Sequence, residues 1–255
     1  MTEGVTLLPV LVSVVLSASS SDGAALDIHS FQVVQQSSGK DDYYSFESGP
    51  EGPYLAARYR PPFDTMVRGI EAPQRFRRTL TGIRWRWRVR AFPKGADDCN
   101  PDVGDAAAGV FATFKAGLKV MVIKYVWNSV GPAGRSCERA NNLFFAKREV
   151  VLRSGGELGS WHTETVDPRR DFTRYFGGKL EDVPDFVALG VLTDGDATNS
   201  RSEADYADFV LYDRRPEPDL VQAQVKALGQ LADAGTPESP PSRSPHGEAD
   251  TEPAR

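Results

Sequence analysis

The run Asp194-Gly195-Asp196-Ala197-Thr198-Asn199, with Glu203, Asp205 and Asp208 close behind, is the densest group of oxygen ligands in the chain. Asp194, Asp196 and Asn199 follow a D-x-D-x-x-N spacing. Hard cations such as calcium take about six to eight oxygens on a flexible backbone, and Gly195 allows the tight turn that would wrap one. The expected metal ligands are therefore Asp194, Asp196, Asn199 and Asp208, with calcium as cofactor. A complete EF-hand is excluded, because the closing glutamate of that loop is absent. The competing reading is an acidic turn between two strands, which Gly, Asn and Asp also favour.

A second chemical signature is basic. In "GIRWRWRVRAF", Arg84, Arg86, Arg88 and Arg90 share one parity while Ile83, Trp85, Trp87, Val89 and Ala91 share the other. Period two means a half-buried strand, so the tryptophans enter the core and the arginines form a ladder about 7 Å apart on the opposite face. Guanidinium forks match carboxylate and phosphate geometry, which makes Arg84, Arg86 and Arg88 candidate ligand-binding residues. The alternative is a solvated face neutralised across strands by acids such as Glu149 or Asp105. Trp127, closing "YVWNS", is a candidate sugar-stacking platform or else a core residue beside Tyr125.

Catalytic signatures are sparse. His162 lies on an expected strand, His29 near the N-terminus and His246 in the C-terminal tail. No G-x-S-x-G elbow, H-E-x-x-H helix or phosphate-binding glycine loop is present. A carboxylate pair such as Glu164 with Asp194 keeps a hydrolase or lyase open as an alternative, since separation in space decides that chemistry.

These residues must be held by strands. Beyond 82–92, β-like runs occur at "YYSFES", "YLAARYR", "AAGVFATF", "LKVMVIKYVWN", "NLFFAKREVVLRS", "DFVALGVLTD" and "ADYADFVLYD", separated by Gly, Pro, Asn and Asp. Many short strands with such punctuation predict an all-β fold, a β-sandwich or jelly roll spanning 27–214. One short helix is expected after Asp167-Pro168, an N-cap followed by proline, with Phe172, Tyr175 and Phe176 at helical spacing and Gly177 as the stop. Val221, Val225, Leu228 and Leu231 give 216–235 an amphipathic helical stripe, usable as a docking element. Residues 236–255 contain no aromatic or large aliphatic side chain and are expected to be disordered.

In chain order, "IRWRWRV", "GDAAAGVFATF", "IKYVWNS", "SWHTETVDPRRDFTRYFG", "VALGVLTDGDATN" and "YADFVLY" together resemble the bacterial family named domain of unknown function 3047, over roughly 80–212. The resemblance implies an exported β-sandwich of galactose-binding-like type and carries no established activity. Where members of that family often show paired acids, this chain has Gly104–Asp105.

Val5 to Leu16 is an apolar run followed by small residues, the form of a signal peptide over 1–25, with cleavage after Ser19 or Ala25. Its lead-in lacks Lys and Arg and contains Glu3, so a buried strand or a mis-assigned start competes. No other segment is long enough to cross a membrane. Export makes the two cysteines, Cys99 and Cys137, an expected disulfide; in a reducing compartment they would be free thiols. Of the net charge of −5, residues 216–255 hold seven acids against three bases, which leaves the rest of the chain near −1. Such a balance argues against nucleic acid as partner. The expected function is a non-catalytic, exported (periplasmic or secreted) envelope module for a saccharide or other anionic ligand. A carbohydrate-active enzyme and a structural interaction domain are the alternatives.

Overall fold

The computed structural model describes residues 23–36 and 42–213. The leader as far as residue 22, the expected helix at 216–235 and the tail at 236–255 lie outside the described residues. In chain order the strands are β1 (Ala24–Ala25), β2 (Gln32–Gln36), β3 (Tyr44–Gly49), β4 (Gly52–Tyr59), β5 (Met66–Glu71), β6 (Gly82–Ala91), β7 (Ala108–Ala116) and β8 (Lys119–Asn128). They continue as β9 (Ser136–Asn141), β10 (Phe145–Ser154), β11 (His162–Val166), β12 (Asp185–Leu192) and β13 (Ser202–Tyr212). Two α-helices, α1 (Phe76–Thr79) and α2 (Pro168–Phe176), interrupt them.

The strands form two sheets. The first runs β11-β6-β13-β4-β3, with β1 also paired to β13; the second runs β2-β5-β12-β7-β8-β10-β9. Every pairing is antiparallel except β8 with β10, which requires the chain to cross over through β9. The sheets pack face to face as a β-sandwich, because alternation gives each strand one apolar side.

The core shows that alternation directly. Ile83, Trp85, Trp87 and Val89 are fully buried, and from the facing sheet Ile123, Tyr125 and Trp127 meet them. Trp85 and Trp87 lie edge to face at 5.3 Å, and Trp87 contacts Trp127 at 5.7 Å. Trp87 Nε1 donates to Glu164 Oε1 at 3.2 Å, which satisfies a polar handle that burial would otherwise strand. Tyr43 and Tyr44 place their hydroxyls against the Met66 carbonyl at 3.1 Å, stitching the first sheet to the second.

Helix α2 forms as its residues dictate. The Asp167 side chain accepts from Arg170 N at 3.0 Å, Pro168 occupies the first turn, and Gly177 at φ 82° ends the helix. Phe172 then packs on Phe114 at 5.0 Å and closes one end of the sandwich.

Candidate functional site

On the outer face of the first sheet, β6 contributes the arginines, β13 contributes Asp205 and Ala207, and β4 contributes Tyr54 and Arg58. Asp205 is fully buried among Arg58 Nη1 at 2.6 Å, Arg88 Nε at 2.6 Å and Arg90 Nε at 3.0 Å. Arg86 pairs with Asp208 Oδ2 at 2.5 Å and with Glu51 on the β3–β4 turn. Trp161, just before β11, lies over this row: Arg88 stands 4.3 Å from its ring centre and 5.0 Å from that of Tyr54, and Arg86 stands 5.1 Å from Trp161. The Tyr54 hydroxyl donates to Glu47 Oε2 at 2.8 Å. A depression lined by Glu51, Tyr54, Arg86, Arg88 and Trp161 opens here, and a second follows along β6 beside Arg84, Arg86, Thr163 and Asp208.

Such a surface offers flat rings held against guanidinium donors and carboxylate acceptors whose charges largely cancel. Arg84 is the exception: it is exposed and has no ion-pair partner among the described residues.

The outer face of the second sheet is covered over part of its area, at β8 and β10. Residues 92–107, joining β6 to β7, cross it, and the Cys99–Cys137 disulfide fastens them to β9 with Cα atoms 5.7 Å apart. Asn128 anchors the segment further, accepting from Asp98 N at 3.2 Å and donating to Asp97 Oδ1 at 2.9 Å. Beneath it Lys124 Nζ pairs with Asp98 at 2.8 Å and Lys147 Nζ with Glu149 at 2.8 Å. Lys124, Asp98 and Glu149 are all buried. Gly109 makes room for this lysine, because a Cβ there would stand 2.7 Å from Lys124 Cε.

Continuing from Lys124 is the acidic loop. Asp105, Asp194 and Asp196 bring carboxylate oxygens within 4.8 Å of one another. Asp105 accepts from Ala197 N at 3.1 Å, Thr198 N at 2.7 Å and Thr198 Oγ1 at 2.6 Å, while Asp194 Oδ1 accepts from Ala106 N at 2.8 Å. Burial pushes Asp194 up to about 7, against the pull of Lys124. Burial and the nearby Asp105 charge also raise Asp196. Glu149 is likewise pushed up to about 7 by burial. Asp98 is equally buried, yet it is held below the usual carboxylate range because Lys124 outweighs the desolvation.

The expected residues thus divide. Asp194 and Asp196 share one cluster, and Asp105, about ninety residues upstream, completes it. Asp208 does not join them. A bulge between Ala207 and Val210, with Asp208 at φ 54°, turns that carboxylate onto the arginine face. Asn199, at φ 45°, donates its backbone N–H to the Asp196 carbonyl at the loop tip. In charge and donor type the trio fits a calcium ion; in number it supplies three carboxylates, and backbone or water oxygens would have to complete the shell.

Trp127 offers no open ring face. It is 1% exposed, its Nε1 donates to the Gly155 carbonyl at 2.7 Å, and Phe92, Arg153 and His162 cover it. Arg84, Arg86 and Arg88 sit on the outer face as the parity predicts, but the acids that pair with Arg86 and Arg88 are Asp205, Asp208 and Glu51 in place of Glu149 or Asp105. Glu164 accepts from Trp87 and pairs with Arg153, so it shares no partner with Asp194 among the described residues. Sequence reasoning missed Trp161 and Tyr54, although their parity with exposed Thr163 and with Arg58 was available to read.

No curated protein matches the chain. Among solved structures it is similar to the solution structure of CtCBM11, at 12% identity and TM-score 0.39, covering 78% of this chain and 99% of that one. It is also similar to TmCBM27, a carbohydrate-binding module studied for specific mannan recognition, at 6% identity and TM-score 0.35, covering 76% and 99%. The family described as "Protein of unknown function (DUF3047)" matches residues 41–210, and the chain belongs to that family.

Proposed function

We propose that this chain is a non-catalytic saccharide-binding module, with its ligand lying across the outer face of the first sheet. The observation that supports this is the cluster at Arg88, whose guanidinium lies 4.3 Å from the Trp161 ring centre and 5.0 Å from that of Tyr54, where the two rings meet edge to face at 5.9 Å, and is paired with buried Asp205. A sugar ring presents an apolar C–H face and a rim of hydroxyls. It therefore needs a flat ring beside a few fixed donors and acceptors, and gains little from a strong field of one sign. Arginines already paired with acids meet that need, and they suit polyphosphate poorly. Calorimetric titration of the purified chain with an oligosaccharide panel tests the reading. Trp161→Ala should weaken the best ligand at least about tenfold, a usual loss for a central aromatic contact. Unchanged affinity in that variant, or no ligand in the panel, would sink it.

The bridge between Cys99 and Cys137 supports an oxidising, extracytoplasmic location. Finding Met1 at the N-terminus of the protein recovered from its source cells would contradict export.

A second reading rests on the Asp105–Asp194–Asp196 cluster as a structural calcium site. Crowded carboxylates, of which Asp194 and Asp196 have raised proton affinity, are what a divalent cation relieves. Binding to the native state alone would add about 2.7 kcal/mol at a hundredfold excess over Kd. Melting should rise with calcium and fall with chelator, and Asp196→Ala should abolish the difference. Identical melting in both would reduce these acids to a polar turn.

A further inference from the structure

The arginine row is unevenly neutralised. Arg58, Arg88 and Arg90 converge on Asp205, and Arg86 is held by both Asp208 and Glu51. Arg84, one strand repeat further along β6, has no such partner among the described residues. Asp208, an acid lining the same depression, is committed elsewhere: the β13 bulge holds it at φ 54° with its carboxylate on Arg86. A non-glycine residue in the left-handed region costs energy that the surroundings must sustain, and such residues gather at functional sites.

Around Arg84 the surface is concave and able to hydrogen-bond. Arg84, Arg86, Thr163, Asp208 and Glu51 line the depression with Ala25 and Val210. Thr163 stands opposite Arg86 and Thr165 opposite Arg84 on β11, and both threonines are exposed. A free guanidinium beside hydroxyl donors is complementary to an oxyanion, which it can grip with two parallel N–H bonds.

Resting on the reading of this face as a saccharide site, we propose that Arg84 is its anion subsite. The saccharide then carries a carboxylate or sulfate about 7 Å, one strand repeat, beyond the group seated at Arg86. Carboxylate and sulfate share the required chemistry, so the probes must separate them.

The experiment titrates the full chain with uronate oligosaccharides (galacturonan, mannuronan and glucuronan), with the methyl ester of each, with sulfated galactan oligosaccharides, and with neutral mannan and glucan oligosaccharides. Arg84 is exposed, so Arg84→Gln should melt with wild type and report binding alone. The expected result is a preference of about tenfold for an acidic form over its uncharged counterpart. That preference should shrink with added salt and vanish in Arg84→Gln. Preference for uronates names the carboxylate as the group; preference for sulfated galactan names the sulfate. Equal binding of acid and ester, or a preference that survives Arg84→Gln, overturns the subsite and leaves the saccharide reading standing. Binding of no saccharide at all overturns both.

Discussion

On the outer face of the first sheet, Arg86 and Arg88 meet Asp208 and Asp205 beneath a single tryptophan, with solvent at hand. On the outer face of the second, Lys124 and Lys147 meet Asp98 and Glu149 beneath a loop pinned by a disulfide. Both faces arise from the same alternation of apolar and charged residues. The difference lies in what crosses them. The open face buries Asp205 beneath its arginines but keeps Asp208 and Glu51 hydrated and available to a ligand. A covered face strips water from its carboxylates, which lifts Glu149 and Asp194 to about 7 and turns chemistry into architecture. Charged residues on a strand therefore announce a surface; the connections decide whether it is usable.

The largest effect should come from breaking the covered network. Lys124→Met leaves Asp98 without its partner beneath the loop, and should cost about 3–5 kcal/mol, the usual result of orphaning a buried charge. Denaturant unfolding measures it, and a loss below about 1 kcal/mol would show the face to be wetter than described. Next, Cys99→Ala with Cys137→Ala removes the staple and should cost about 3–4 kcal/mol for a loop spanning 38 residues. The same double variant should move the Glu149 titration, followed by NMR, down toward the ordinary carboxylate range as water enters.

A pH series sharpens the contrast further. Asp194 has a higher proton affinity folded than unfolded, so its contribution is fully present below about pH 4 and is lost as pH rises to about 7. Asp194→Asn keeps the acceptor for Ala106 N and removes the titration. Relative to wild type it should gain roughly 3–4 kcal/mol between pH 4 and pH 7.5, read as the difference between two melting profiles. Parallel profiles would refute the buried carboxylate. Smallest is the open face: Arg86→Gln breaks ion pairs whose acids are about half exposed, and should cost below about 1 kcal/mol. A loss approaching that of Lys124→Met would erase the distinction between the faces.

Alternation alone located β6 and set its burial correctly, from Ile83 to Arg90, because a one-residue slip would bring arginines into the core. The helix at 168–176 was legible in its own caps, and the disulfide in an even pair of cysteines, although Cys137 lies within β9. Pairing partners were not legible. Asp208 lies six residues from Ser202 at the start of its strand, and only the bulge, invisible in the sequence pattern, sends its carboxylate to Arg86. Asp105 joins Asp194 and Asp196 because the β6–β7 connection crosses the second sheet, a fact of topology that spacing does not encode. Trp127 had the right parity for burial, and its cover came from β10 and β11, far along the chain.

The pairing of β1 with β13, Ala24 against Leu211 and Ala25 against Val210, brings the two ends of the sandwich out side by side, about one strand spacing apart. A domain closed in this way behaves as a pendant. It can hang from either end or sit as an insert within another chain with the same geometry, and a linker of a few residues could join its ends to make a circular permutant. Tension between the ends would part β1 from β13 one hydrogen bond at a time, as a zipper opens. The first wall to give way would then be Ala25, at the edge of the depression beside Arg84.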